Sequence, residues 1–349
     1  MSARHLLVGN PTAQSGRNAA RIAEAARLLD RAGLVHRFLA TAPAGATVAM
    51  VADALAADRV LDTAIYMGGD GTFAEVAKGI LASGRAAEVR LGMLPTGTAN
   101  DQGKSFGLGA GEADLARNVG VLAAGHEARL DAGRLTARDA GGALVRDDWC
   151  FDSAGWGISP RVLELRNEDR KTIGAIPLVR DLWRDQLVYA GALLRTFLGS
   201  YVDDGKFDVR VVADGVERRW RGLTDLIVKG TRIYGGLWVF DSASRPDDGR
   251  FEVVPFVGKA DWVSKALVHL DGSGTAADAL SAVGVRLSEN LSAGLIELDF
   301  EEQPGQPLSA QVDGEEFPAT PHVRIEVVRQ ALRLIVPEEF RNRDSETDR

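Results

Sequence analysis

The chain has 349 residues, 45% of them apolar and 26% charged, with a formal net charge of −8. That length accommodates two domains and that apolar share supports substantial cores, so the chain reads as globular. A net negative charge argues against a general nucleic-acid binder, which neutralises phosphates with a surplus of Lys and Arg.

The opening MSARHLLVGNPTAQSG has too short an apolar run for a signal peptide, and the single cysteine, Cys150, permits no internal disulfide. Both point to the cytoplasm. From residue 1 to about 125, strand and helix patterns alternate. HLLVG precedes the helical RNAARIAEAARLLDRAG, VHRFLAT precedes a helix from Ala46, TAIYM precedes a helix with Phe73, Val76, Ala77 and Ile80 on one face, and VRLGMLP precedes another helical stretch. Such alternation predicts an α/β domain with a parallel sheet and ligands at the carboxyl ends of the strands. Three turns fall at such ends: GNPTAQSG, GGDGT and PTGTAND.

From about Arg129 the runs become β-branched and alternating, which predicts a mostly antiparallel β-sandwich domain with a helical insertion near 159–199. That insertion includes Trp183, Tyr189 and Phe197, but its arginines and aspartates (Arg180, Asp181, Arg184, Asp185, Arg195) are unfavourable at membrane depth. It therefore reads as amphipathic rather than spanning. The expected organisation is an α/β domain over 1–128, a β-rich domain over 129–319, a return to the first domain at 320–337, and a disordered tail over 338–349.

Two nucleotide signatures fail on inspection. In GTANDQGKS five residues separate Gly97 from Gly103, so the P-loop spacing misses by one. GDGTFA from Gly69 fits a permissive dinucleotide fingerprint but would set Asp70 against the pyrophosphate. A carboxylate in a phosphate-binding turn is tolerable when a cation stands between them. Asp313 and Glu315, two apart in VDGEE, are expected on one face of a strand, where paired carboxylates can raise one pKa and supply a general base. YVDDGKFD offers hard oxygen donors around a tight turn, which suits Mg²⁺. The five histidines show no ligand spacing.

Taken in order, NPTAQSG at 10–16, GGDGT at 68–72, LPTGTAND at 94–101, DDGKFDV at 203–209 and VDGEE at 312–316 resemble the diacylglycerol kinase catalytic family, in its soluble bacterial lipid-kinase branch. The resemblance runs from Asn10 to about Val336. NAD kinases and phosphofructokinases share the GGDG turn without the other segments. The resemblance implies ATP- and Mg²⁺-dependent phosphorylation of a hydroxyl of diacylglycerol or a related lipid, at a membrane surface reached reversibly. Ceramide or sphingoid bases are the alternative acceptors, followed by NAD and by an inactive binding module. It further implies nucleotide contacts from Asn10, Pro11, Ser15, Thr41, Gly68, Gly69, Asp70, Gly71, Thr72 and Thr98. Glu315 is implied as proton acceptor with Asp313 supporting or competing, and Asp70 as the residue holding Mg²⁺ or its water. A second, structural Mg²⁺ is implied at Asp204 with the carbonyls of Tyr201 and Lys206. Oligomeric state is left open, a homodimer included. Ala74, Gln102 and Gly103 depart from the common family pattern.

Overall fold

The computed structural model describes residues 3–157, 206–235, 239–241, 244–258, 261, 265, 288–301 and 308–341. In chain order the first elements are β1 (His5–Gly9), α1 (Arg17–Arg31), β2 (His36–Ala40), α2 (Ala46–Ala57), β3 (Thr63–Gly68), α3 (Asp70–Ala82), β4 (Arg90–Pro95), α4 (Asp101–Ser105) and α5 (Asp114–Ala124). The four strands run parallel in the order β2-β1-β3-β4. Their side chains alternate between two cores. Leu6, Val8, Ala64 and Tyr66 meet α2 and α3 on one face, while Leu7, Ile65 and Met67 meet α1 and α5 on the other. Strand order reverses between β1 and β3, and in open α/β sheets the ligand crevice forms outside the strand ends at that reversal. Gly9 and Gly68 end those two strands.

The second half is antiparallel: β5 (Glu127–Arg138), β6 (Leu144–Cys150), β7 (Ser153–Gly157), β8 (Phe207–Ala213), β9 (Val216–Leu223), β10 (Asp225–Lys229), β11 (Phe251–Phe256), β12 (Leu291–Ala293), β13 (Leu295–Phe300), β14 (Ala310–Val312), β15 (Glu315–Phe317) and β16 (His322–Ile335). Among the described residues β12-β11-β10-β7-β14-β15 form one sheet, and β5, β6, β8, β9, β13 and β16 extend the parallel one. The two sheets close over Trp156, Phe207, Leu226, Val228, Phe251, Ile296, Leu298 and Ile325, which gives the sandwich core. Strand β16 serves both parts. Its end lies parallel to β4 at Arg333 and Leu334, while its start pairs antiparallel with β13 and β5. Between Val328 and Leu332 it bulges, Gln330 has φ +53°, and the Asp131 carboxylate accepts the Gln330 and Gly249 N–H groups, each at 2.6 Å.

The expected α/β domain and antiparallel sandwich are both present; the helical insertion near 159–199 lies outside the described residues. No helix among the described residues is long and apolar enough to cross a membrane. Past Pro337 the chain makes a 3-10 turn over Glu338–Phe340, with the Phe340 ring edge-on to Phe106 at 6.4 Å. Residues 342–349 lie outside the described residues.

One buried charge holds the α2–β3 connection. Arg85 is 4% exposed, and its guanidinium donates to the carbonyls of Leu55 (2.6 Å), Asp58 (3.2 Å), Arg59 (3.4 Å) and Leu61 (3.0 Å) and to Glu88 (2.9 Å). Removing the side chain leaves buried carbonyls without donors. Arg85→Ala is expected to lower unfolding free energy by about 3 kcal/mol, measured by urea denaturation. A change within experimental error would mean that water replaces the guanidinium at no cost.

Candidate active site

Two glycine turns meet at the carboxyl ends of β3 and β4. The Gly68 carbonyl accepts the N–H groups of Thr96 (2.7 Å) and Gly97 (3.1 Å). A Cβ on Gly97 would lie 2.5 Å from the Gly69 Cα, so the two backbones touch only because neither residue carries a side chain. Thr72 folds its side chain back over Gly68, where a Cβ would fall 2.3 Å from its hydroxyl oxygen. Asn100, at φ +54°, shapes the second turn by accepting the Gly97 N–H (2.9 Å) and donating to the Gly97 carbonyl (2.7 Å). Thr98 lies exposed at the tip of that turn. Gly97→Ala is expected to force the turns apart and raise the Kd for ATP at least about tenfold, with the sandwich core unaffected. Isothermal titration checks this, and an unchanged Kd would remove the packed turns from the nucleotide site.

Asp70 is the first residue of α3 and is turned toward the second loop. Its carboxylate accepts the Asn100 N–H at 2.8 Å and the Gln102 N–H at 3.4 Å. Burial raises its pKa, against the lowering effect of these backbone donors. The α3 face behind it buries Phe73, Val76, Ala77 and Ile80, the spacing read from the sequence.

At the β1 end, the Asn10 side chain accepts from the Thr12 N–H (3.0 Å) and hydroxyl (2.8 Å), and the Asn10 main-chain carbonyl accepts from the Asn18 side-chain amide (2.7 Å). Asn10 thus builds the turn through which Pro11 passes. Ser15 lies in the 3-10 turn Ala13–Gly16. Thr41 joins this end of the sheet through its N–H to the Gly9 carbonyl at 3.0 Å.

The VDGEE segment is the turn between β14 and β15, and it departs from the expected alternation. Asp313 (φ +49°) and Gly314 (φ +80°) both take left-handed conformations, as in a two-residue Asp-Gly hairpin. The two carboxylates therefore part. Asp313 turns inward, 7% exposed, and accepts the N–H groups of Phe151 (2.9 Å), Asp152 (2.8 Å) and Ser153 (3.1 Å). Burial raises its pKa to about 6 even against those donors. Glu315 is exposed, with Oε1 3.2 Å from the point a Cβ on Gly71 would occupy. It thus stands over the first turn of α3. Partial burial and neighbouring Glu316 raise its pKa, and Lys78 lowers it.

Sequence reasoning passed over Asp152, a lone acid in the apolar run WCFDSAGW that ends as a buried carboxylate. Thr231 and Ser153 donate hydroxyl hydrogen bonds to it, and its carbonyl accepts the Gly230 N–H at 2.8 Å. Burial, then Asp101, Asp313 and Asp70, push its pKa well up. Asp101 accepts the Gly235 N–H at 2.6 Å, which ties the loop after β10 to α4. An acid flanked by aromatics in an otherwise apolar run was the available signal. Of the proposed second Mg²⁺ site, Tyr201 and Asp204 lie outside the described residues, and Lys206 is exposed at the start of β8.

The carboxylates suit a hard cation. Among the described residues no three His, Cys, Asp or Glu side chains converge tightly enough to enclose a metal unaided. That donor set fits Mg²⁺ in its usual form, held by one or two carboxylates together with substrate phosphates.

Residues 4–135 match the family model described as the diacylglycerol kinase catalytic domain. A diacylglycerol kinase of Staphylococcus saprophyticus is 30% identical over 151 residues, 42% of this chain and 47% of that protein. A Klebsiella pneumoniae protein named as a lipid kinase of YegS-like type is 33% identical over 120 residues, 34% of this chain and 38% of that protein. The chain thus spans less than half the length of these relatives. A Bacillus anthracis diacylglycerol kinase structure superposes with a TM-score of 0.64 at 18% identity, covering 97% of this chain and 98% of that one, which shows a common fold.

Proposed function

We propose, from the match of residues 4–135 to the family model described as the diacylglycerol kinase catalytic domain, that this chain transfers the γ-phosphoryl group of ATP to a hydroxyl of diacylglycerol or a related lipid. The observation that carries this reading is the placement of Glu315 beside Gly71, which brings a carboxylate from the far end of the sequence over the glycine turn. Phosphoryl transfer needs little covalent help. It needs the two oxygens in line and charge neutralised on the moving group. The N–H groups of Gly68–Thr72 and the amino end of α3 would bind phosphate oxygens. Asp70 and Asp101 would hold Mg²⁺, which when bound neutralises phosphate charge. Glu315 would accept the proton of the lipid hydroxyl, and Asp313 would fix the hairpin that carries it.

A lipid hydroxyl implies reversible docking on a membrane surface through the 159–199 segment, a step checked by salt-sensitive cosedimentation with anionic vesicles. Radiolabel transfer from ATP to diacylglycerol, ceramide, sphingosine and NAD tests the whole reading. Label in a glycerolipid is expected. Label in a sphingolipid alone would move the acceptor class, and label in NAD alone or in nothing would overturn the lipid-kinase reading.

A further inference from the structure

After β10 the chain leaves the antiparallel sheet and crosses to α4. The start of this loop is pinned to the sheet: the Gly230 N–H donates to the Asp152 carbonyl at 2.8 Å, and the buried Lys229 ammonium donates to the Arg232 carbonyl at 3.0 Å. The Thr231 hydroxyl, on a residue 1% exposed, donates to the Asp152 carboxylate. Further along, the Ile233 N–H donates to the Ser105 hydroxyl at 3.1 Å and the Gly235 N–H to the Asp101 carboxylate at 2.6 Å. Both ends of the loop lead on to the site. Asp152 gives its own N–H to Asp313 at 2.8 Å, inside the hairpin that carries Glu315, and Gln102, next to Asp101, gives its N–H to Asp70 at 3.4 Å. Residues 230–235 therefore complete a hydrogen-bonded path from the hairpin to Asp101 and Asp70. Apolar contacts also join these parts, among them the edge-on Phe73 and Phe151 rings at 5.9 Å. Such contacts hold surfaces together without fixing direction, whereas hydrogen bonds weaken steeply off axis. The loop thus adds the directional constraint, and an in-line transfer is sensitive to misplacement of about 1 Å.

We propose that Thr231 is a positioning residue for phosphoryl transfer: its bond to Asp152 joins the Glu315 hairpin to the loop docked on α4 and so holds the base in register with the nucleotide turns. The proposal rests on the base role given to Glu315 above. Thr231→Val keeps the side-chain shape and removes the hydroxyl, and Ser105→Ala opens the same connection at its α4 end. Each is expected to lower kcat about tenfold with KM for ATP within about twofold of wild type, because the glycine turns keep their own hydrogen bonds. Since both changes break one connection, the double variant should also lose about tenfold, whereas independent local effects would multiply to about a hundredfold. Thr231→Ser, which restores the hydroxyl, should recover wild-type kcat. Hydrogen exchange on the protein without Mg²⁺ or nucleotide gives a reading separate from turnover. The peptide spanning 230–235 should exchange at least about tenfold faster in Thr231→Val. Should that variant fail to fold, Ser105→Ala decides the matter: the peptide spanning 151–153, at the far end of the connection, should exchange faster than in wild type. Unchanged exchange at these peptides, or kcat losses that multiply in the double variant, would reduce the Thr231 bond to local packing. Wild-type activity in Glu315→Gln would instead remove the base assignment and leave the exchange result standing.

Discussion

Asp70→Asn is expected to lower kcat about 10³-fold or more while the protein stays folded. The substitution preserves shape but removes the negative charge that would hold the cation, and several kcal/mol of transition-state stabilisation go with it. A structural effect is also expected, and it is smaller. The Asp70 carboxylate accepts the backbone N–H groups of Asn100 and Gln102, whereas an amide has one acceptor oxygen and turns an NH₂ toward the other donor. About 1 kcal/mol of stability should be lost from the second turn. Circular dichroism, thermal unfolding and a kinase assay on the same sample separate the two effects. Activity near wild type in a folded variant would place the cation elsewhere.

The second large effect separates Glu315 from Asp313. Glu315→Gln should cost about 10² to 10⁴-fold in kcat with little change in stability, because the carboxylate is exposed and only its proton-accepting role is lost. Asp313→Asn should do the reverse in emphasis. Its buried carboxylate accepts three backbone N–H groups, so its loss is first a loss of stability, about 2 kcal/mol. The pH dependence carries a signature of its own. The folded-state pKa of Asp313 is raised to about 6 from 3.8, so between those values the native protein binds more protons than the unfolded chain. Its contribution is full below about pH 4 and is lost as pH rises through 6, a fall on the order of 3 kcal/mol. Asp313→Asn removes this titration. The stability gap between wild type and variant should therefore narrow from pH 4 to pH 6, as read by chemical denaturation. A constant gap would mean that Asp313 titrates normally in the fold. Full stability with abolished turnover would make Asp313, and not Glu315, the chemical group.

Much of this protein was legible in the sequence because the information there is local. Periodicity placed β1 to β4 and the buried face of α3, and the glycines of GGDGT and PTGTAND marked the turns that only glycine can make when two backbones touch at Gly69 and Gly97. The departures come from contacts between distant segments. Strand alternation put Asp313 and Glu315 on one face; two successive positive-φ residues, a feature of turn geometry, sent one inward and left the other over Gly71. Asp152 reads as a stray acid until the hairpin, the Thr231 loop and Asp101 converge on it. The sequence by itself determined the α/β and antiparallel parts and the closely packed glycine turns, since these follow from residue spacing and backbone freedom. Only the tertiary structure decided which carboxylate faces the turn and which ones are buried beside one another. Burial and through-space repulsion depend on neighbours that chain order does not specify.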